Sequence, residues 1–168
     1  IAKPNSGGSS VGVHFVNNKN ELDEALEDIF KIDNEAIIEE VIEGVEISVP
    51  IIDGLVYPTL CIEPKAGTYF DYASKYELGG ADEYVIEFEE NLQNEINEFT
   101  KKAFYAVKCE GYARIDFMLK DNKAYLMEIN TLPGMTATSL VPKSLKHLGV
   151  SYSELLDKLI EVSLKIKR

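Results

Sequence analysis

Four polar residues recur along a predicted β-hairpin at 112–131. Successive side chains on a strand point to opposite faces, so Arg114 and Asp116 share one face of the first strand. Glu128 and Asn130 share one face of the second strand by the same rule. A three-residue turn would place Asp116 opposite Glu128 and Arg114 opposite Asn130. The hairpin therefore predicts a compact group of two carboxylates, one amide and one guanidinium.

This polar group is a candidate metal site. Directly opposed carboxylates start only about 5 Å apart at Cβ, and they repel each other unless positive charge lies between them. Mg²⁺ accepts carboxylate and amide oxygens and keeps coordination positions for water and phosphate. The alternative interpretation is a solvated sheet face on which an Asp–Glu pair is merely tolerated. The hairpin alone leaves both interpretations open.

The segment KPNSGGSSVG (3–12) has the composition of a loop that wraps phosphate. In the common phosphate-binding loop a lysine follows the glycines, whereas Lys3 precedes them. Glycines allow backbone N–H groups to approach phosphate closely, and serine hydroxyls add donors. One interpretation is a hairpin that closes over a nucleotide, and the other is an ordinary hairpin turn. We expect VGVHFV (11–16) to form a strand paired with residues 1–3.

Two further segments suggest ligand binding more weakly. In EEVIEGVE (39–46), acidic residues follow a short apolar strand. The backbone there could bind the edge of an adenine and a carboxylate could bind ribose hydroxyls, or the acids could simply be surface charge. NTLPGMTATSL (130–140) delivers Ser139 to the start of a predicted helix. A serine at a helix N-terminus favours a carboxylate ligand, but it is also an ordinary N-cap.

Charge and composition restrict the class of protein. The 168 residues include 29 acidic and 17 basic ones, giving a net charge of −12. Such a surface repels a phosphate backbone, so nucleic acid is not an expected partner. A nucleotide site would need individually placed cations and a metal ion. The sequence has no long apolar run, which predicts no membrane partner. It begins inside a predicted strand, and we expect it to be part of a longer protein.

The order of predicted elements favours an α+β fold. Helices are expected near 20–30, 91–109 and 139–148, and a capping box at Ser151–Glu154 opens another. Strands and helices do not alternate regularly, which favours antiparallel sheets over a doubly wound parallel sheet. Two isolated cysteines suit a reducing cytosol. Residues 65–82 are aromatic and aperiodic, which predicts a long functional loop.

Together the motifs resemble one family. KPNSGGSSVG, IIEEVIEGVEISV, TYFDYASKY, GYARIDFML and YLMEINTLPGMTATSLVPK follow the order seen in D-alanine–D-alanine ligases of the ATP-grasp superfamily. The resemblance implies a mainly antiparallel sheet flanked by helices. It also implies that 1–37 is a remnant of the central ATP-grasp subdomain with the glycine-rich loop, and that 38–168 is the C-terminal subdomain.

The resemblance implies ATP as cosubstrate and names residues for it. Lys3 corresponds to a lysine on the α- and β-phosphates, and Glu39 lies in the segment that reads adenine. Glu46 corresponds to the ribose ligand. Lys75 belongs to a mobile loop that covers the γ-phosphate, so it would serve both ATP binding and catalysis.

Other matched positions carry the metal and the amino acids. Arg114 resembles the arginine that stabilises the developing oxyanion, while Ser9 and Tyr76 resemble partners in a substrate-orienting network. Gly134 and Ser139 correspond to positions beside the acceptor D-alanine, with Ser139 meeting its carboxylate. The implied ligands of two Mg²⁺ ions are Asp116, Glu128 and Asn130. Mn²⁺ is the alternative metal.

The implied function is ATP-dependent ligation of two D-alanines through an acyl phosphate, for peptidoglycan precursor synthesis in the cytoplasm. Tyr76 favours D-alanine as acceptor, because related ligases that use D-lactate carry a histidine there. The family's N-terminal domain is absent, so we predict that this chain alone is inactive. A homodimer is an expectation for the full-length parent. The alternatives are another ATP-grasp carboxylate–amine ligase and a non-catalytic nucleotide-binding module.

Overall fold

The computed structural model describes residues 1–65 and 81–166. The chain divides into two compact units. The first consists of Ile1–Ile42 with Pro64–Ala81, and the second of Glu43–Glu63 with Asp82–Arg168. The subdomain boundary predicted at 37/38 remains a prediction. Most of the predicted aromatic loop lies outside the described residues.

The first unit packs one helix on a two-stranded antiparallel sheet. Strand β1 (Ala2–Pro4) pairs with β2 (Ala36–Ile38), and α1 spans Lys19–Ile29. The side chain of Asn18 accepts a hydrogen bond from the Glu21 N–H and so caps the helix. Apolar residues recur every three or four positions along α1, and the stripe that they form packs against the sheet. The fully buried residues of this small core are Ala2, Ala25 and Ile29.

The strand predicted at 11–16 is wrong. Only one isolated bridge forms there, in which Ala2 and His14 exchange backbone hydrogen bonds of 2.9 and 2.8 Å. Ser9, Ser10 and Gly12 have φ of 54°, 58° and 74°, so the chain curls through turns instead of extending. The segment does pair with residues 1–3, as expected. The left-handed residues before His14 prevent the extended backbone that a longer run of β-pairs would need.

The second unit is built on a six-stranded sheet. Its order is β6-β5-β3-β7-β8, and β4 pairs with β3 outside this path. The pairs of β3 with β4, β5 and β7, and of β7 with β8, are antiparallel. The strands are β3 Val45–Ile52, β4 Leu55–Val56, β5 Leu60–Pro64, β6 Ala81–Val85, β7 Tyr112–Lys120 and β8 Lys123–Asn130.

Three helices pack on the sheet, one on the first face and two on the second, and part of the second face is left uncovered. Helix α2 (Glu90–Ala106) packs on one face, against odd-numbered residues such as Ile115 and Phe117. Helices α3 (Leu140–His147) and α4 (Tyr152–Lys165) pack on the opposite face, but only at the end that contains Ile52. No helix in the described part of the chain is long and apolar enough to cross a membrane.

Two tight turns fix the strand registers. Asp53 and Gly54 have φ of 52° and 75° and join β3 to β4, as the Asp-Gly pair predicts. The left-handed φ favours glycine at this position, and a Cβ there would lie 2.3 Å from the hydroxyl of the exposed Tyr105 ring, which would have to move aside. The β7–β8 turn contains only Asp121 and Asn122, because Lys120 pairs with Lys123.

The predicted three-residue turn at 121–123 is therefore wrong, yet the predicted pairs are confirmed. A β-bulge shifts the register between Asp116 and Phe117, where Phe117 pairs with Leu126 and Asp116 with Glu128. The extra residue in β8 restores the position that the shorter turn removes. Asp116 thus lies opposite Glu128, and Arg114 opposite Asn130.

Candidate active site

The candidate site lies on the sheet face that α3 and α4 leave open. Ser48, Asp116 and Glu128 occupy directly paired positions across β3, β7 and β8. The next row contains Arg114 and Asn130 on β7 and β8. All five positions alternate with the apolar residues that face α2, so their side chains project to the same side. The sheet therefore supplies a rigid base for a cluster of acid, amide, hydroxyl and guanidinium groups.

Asp116 is the centre of this cluster. Its side chain is 3% exposed and accepts four hydrogen bonds. Arg114 donates from Nε at 2.9 Å to Oδ1 and from a terminal nitrogen at 2.7 Å to Oδ2. The Ser48 hydroxyl donates to Oδ1 at 2.7 Å, and the Asn130 amide donates to Oδ2 at 2.8 Å. Four donors satisfy the buried carboxylate and fix its orientation.

Glu128 makes the cluster accessible from solvent. Its side chain is exposed, and its Oε1 accepts a hydrogen bond of 3.0 Å from the same Asn130 amide. Asn130 therefore joins the buried carboxylate of Asp116 to the exposed carboxylate of Glu128. The two acids lie on one face and share one partner, as the hairpin pattern predicts.

Arg114 is held as a cation in a partly buried position. Burial alone would lower its pKa, but its hydrogen bonds to Asp116 and the charges of Asp116, Glu128 and Glu46 raise the pKa above its ordinary value. Its side chain is 19% exposed. Glu46 on β3 lies close enough to this cluster for its charge to raise the pKa of Arg114. The cluster thus combines an anionic rim with one fixed positive charge.

The donor set fits a divalent metal that is shared with a substrate. Carboxylate and amide oxygens are the ligands that Mg²⁺ prefers. Within 1–65 and 81–166, no group of three or more His, Cys, Asp or Glu side chains could hold a metal ion. Two acids and one amide leave most coordination positions for water and phosphate oxygens. The residues therefore fit a metal that arrives with phosphate better than a metal bound by protein alone.

The segment after β8 brings Gly134 and Ser139 together. A Cβ at Gly134 would lie 3.1 Å from the Ser139 hydroxyl, so only glycine leaves that oxygen its present space. Ser139 is the N-cap residue of α3, but its hydroxyl makes no capping hydrogen bond. It bonds instead to the Thr136 hydroxyl at 2.8 Å and accepts from the Thr136 N–H at 3.1 Å. The segment is tied down further by Tyr152, whose hydroxyl donates to the Met135 carbonyl at 2.6 Å.

Two candidate nucleotide residues, Lys3 and Glu39, and the substrate-orienting candidate Ser9 lie in the first unit. Lys3 on β1 forms a 2.5 Å ion pair with Glu39, and both side chains are partly exposed. Ser9 lies in the glycine-rich loop in a left-handed conformation. Lys75 and Tyr76 lie outside the described residues. Ser48 was missed in the sequence because it contacts Asp116 across 68 positions, although one hydroxyl within the apolar strand VEISVPII signals a buried partner.

The α+β fold, with its mainly antiparallel sheet and the acid–amide row on the open face, belongs to the ATP-grasp class. Solved structures support this class. The D-alanine–D-alanine ligase from Bacillus anthracis in complex with ATP aligns with a TM-score of 0.85 and 43% identity over 98% of this chain and 52% of its own. The VanG D-Ala:D-Ser ligase from Enterococcus faecalis aligns with a TM-score of 0.83 and 34% identity, over 96% of this chain and 48% of its own.

The sequence comparisons define the family. The profile of the D-ala D-ala ligase C-terminus family matches residues 1–161, and the chain belongs to that family. A D-alanine–D-alanine ligase A from Clostridium perfringens strain 13 is 49% identical over 168 residues, covering 100% of this chain and 56% of the relative. The chain thus spans about half the length of the curated relatives that it matches.

Proposed function

We propose that this chain is the C-terminal part of an ATP-dependent ligase that joins two D-alanines for peptidoglycan precursor synthesis. The observation that carries the proposal is the cluster in which Arg114 and Asn130 hold Asp116 beside Glu128 on an open sheet face. Relatives named D-alanine–D-alanine ligase support the reaction, and the neighbour in complex with ATP supports the cosubstrate.

The proposed reaction has two steps. The carboxylate of the first D-alanine attacks the γ-phosphorus of ATP, so an acyl phosphate forms and ADP leaves. The amine of the second D-alanine then attacks the acyl carbon, and loss of a proton and of phosphate gives the dipeptide. Both steps move negative charge between oxygens, so catalysis requires alignment and fixed opposing charge.

Asp116, Glu128 and Asn130 are proposed to hold two Mg²⁺ ions, with Mn²⁺ as a substitute. When bound, the metal neutralises phosphate charge and orients the phosphoryl group for transfer. The chain's own contribution is the position of Asp116, which four hydrogen bonds fix. Metal binding would exchange the hydrogen bonds from the Asn130 amide nitrogen to both acids for coordination by oxygen. Since the described part of the chain offers no complete metal cage, we expect metal binding to depend on nucleotide.

Arg114 is proposed to stabilise the oxyanion of the tetrahedral intermediate. Its charge is secured by the acids around it, and Asp116 holds its guanidinium by two hydrogen bonds. A donor fixed in this way loses little entropy when charge develops on a substrate oxygen. In the same proposal Gly134 and Ser139 receive the acceptor carboxylate, and the fixed segment around Ser139 supports that role.

The remaining roles rest on the family resemblance. Lys3 and Lys75 would contact phosphates, Glu39 would lie at the adenine, and Glu46 would bind ribose. Ser9 and Tyr76 would orient substrate, and the subdomains would divide near residue 37. Both cysteines are free, which agrees with the proposed location in the cytoplasm. Dimer formation by the longer protein belongs to the same proposal.

A chimera tests the function directly. The part of the Clostridium perfringens relative that precedes its matched segment is joined to Ile1, and D-alanine-dependent ADP release is measured. We expect activity in the chimera and none in the 168-residue chain alone. Asp116→Ala should lower kcat on the order of 100-fold or more. Lys120→Met, at the exposed end of the same strand, is the matched control and should leave kcat unchanged.

The acceptor is tested in the same chimera. The likeness to a D-Ala:D-Ser ligase makes D-serine the specific alternative to D-alanine. We expect the higher kcat/KM with D-alanine, and D-serine and D-lactate are measured beside it. ATP binding by a chimera that releases no ADP with any amino acid would instead favour the non-catalytic module, and this outcome would refute the ligase proposal.

A further inference from the structure

Two acids that follow α1, Asp33 and Glu35, form hydrogen bonds with Asn5 and Ser6 at the start of the glycine-rich loop. The Ser6 N–H donates to Asp33 Oδ2 at 2.5 Å, directly before Gly7 and Gly8. Asn5 is bound one residue earlier, because its amide donates to Glu35 Oε2 at 2.9 Å and its N–H donates to the Glu35 carbonyl at 3.1 Å. The loop therefore leaves β1 along a defined path.

Asp33 is itself held on the body of the unit. Its N–H donates to the Ile29 carbonyl at the end of α1, at 2.9 Å. Its Oδ1 accepts from the N–H of Asn34 at 2.6 Å and of Glu35 at 3.3 Å. The hydrogen bond from the Ser6 backbone is the largest cause of a lowered pKa at Asp33, which keeps the carboxylate ionised. Asp33 thus contacts the end of α1 through its backbone N–H, and the approach to β2 and the loop through its side chain.

A local role does not explain both oxygens of Asp33. An Asp after a helix commonly accepts from the next backbone N–H groups, and Oδ1 does so here. Oδ2 is directed instead to Ser6, which lies 27 residues earlier. The second contact does nothing for the turn that contains Asp33, but it fixes the residue before the exposed Gly7 and Gly8.

We propose that Asp33 is a positioning residue that presets the glycine-rich loop for phosphate binding. The inference rests on the proposed function, in which backbone N–H groups of this loop meet the phosphates of ATP. Glycines are costly to order, and a loop that is already held loses less entropy when its ligand arrives. Asp33 touches no substrate in this scheme and acts through Ser6.

The test compares three variants of the chimera described above, which contains the full 168-residue chain. Asp33→Ala removes both acceptors, and Asp33→Asn keeps an oxygen for the Ser6 N–H without the charge. Asp28→Ala is the matched control, because Asp28 is an exposed acid in the last turn of α1 that forms an ion pair with Lys31 at 2.7 Å. Binding of a non-hydrolysable ATP analogue with Mg²⁺ is measured by calorimetry, and hydrogen exchange of the Ser6 amide by NMR.

Asp33→Ala should weaken analogue binding about tenfold, as expected for the loss of one hydrogen bond to a charged group. It should also remove protection of the Ser6 amide, while Asp33→Asn restores both in large part and Asp28→Ala changes neither. Unchanged affinity in Asp33→Ala would overturn the positioning role and leave the proposed function standing. An unchanged chimera that binds no analogue would overturn the nucleotide site and this inference together. Equal loss in Asp28→Ala would assign the effect to charge alone and would also overturn it.

Discussion

The pair formed by Arg114 and Asp116 predicts a large and specific loss of stability. Arg114→Met removes two of the four hydrogen bonds that Asp116 accepts. Ser48 and Asn130 remain as neutral donors. The Asp116 side chain is only 3% exposed, so its negative charge would stay in a poorly solvated place without a counter-ion.

The expected magnitude follows from this geometry. Removing one member of a buried ion pair costs about 3–5 kcal/mol, because the other charge is left uncompensated. Arg114 is 19% exposed, which lets water reach the gap, and two donors persist. We therefore expect the lower end of the range, about 3 kcal/mol of unfolding free energy. For a chain of this size the melting temperature should fall by roughly 6–12 °C.

Urea unfolding followed by far-ultraviolet circular dichroism measures this loss. Lys120→Met is the matched control, since it removes a cation from the exposed end of the same strand and should change stability by less than about 0.5 kcal/mol. The double variant Arg114→Met/Asp116→Leu removes the stranded charge and should recover much of the loss. Equal stability of the Arg114 and Lys120 variants would refute the claim that the buried pair supports the fold.

Three further predictions concern packing, turns and caps. Phe117→Ala should lower the unfolding free energy by about 3–5 kcal/mol in urea, because it empties the fully buried centre of the α2 face. Gly54→Ala should cost about 1–3 kcal/mol by the same assay, since the position is left-handed and Tyr105 occupies the space. The pKa of Glu154 is lowered by hydrogen bonds from Ser151, so its contribution is present above its unfolded pKa and lost as pH falls through the folded one. Urea midpoints between pH 5 and pH 3 should therefore fall less steeply in Glu154→Gln, and a slope equal to that of the unchanged chain would contradict the assignment.

The hairpin of the site shows what a sequence pattern can and cannot specify. Alternation along β7 and β8 predicts which side chains share a face, and opposition of Asp116 and Glu128 is confirmed. The predicted path of the chain was wrong in two ways that cancel. The β7–β8 turn is one residue shorter than predicted, and a β-bulge adds one residue to β8. The short turn was readable, since Asp and Asn accept the left-handed conformations that two-residue turns require. The bulge had no comparable local signal.

Contacts within one hairpin follow from chain order, but contacts between distant strands do not. Ser48 reaches Asp116 because β3 pairs with β7, and nothing near Ser48 in the sequence specifies that pairing. The same limit hides Asp33, whose contact with Ser6 depends on how α1 returns the chain to β1. At Ser48 a hydroxyl within an apolar strand was the readable sign, whereas Asp33 resembles an ordinary acid after a helix because its Oδ1 has local partners.

Ser48, which was missed, and Asp116, which was predicted, depend on each other for their positions. A hydroxyl buried in an apolar strand costs free energy unless it finds an acceptor. Ser48 finds one only because Asp116 lies directly opposite it, and Asp116 is tolerated in the sheet only because Ser48, Arg114 and Asn130 surround it. Each member therefore makes the burial of another less costly, so the cluster forms as a unit with the sheet. Folding itself therefore positions the carboxylate, and the hydrogen bonds from Asn130 are the part of the cluster that a metal would have to exchange. Such positioning before the ligand arrives is what phosphoryl transfer requires.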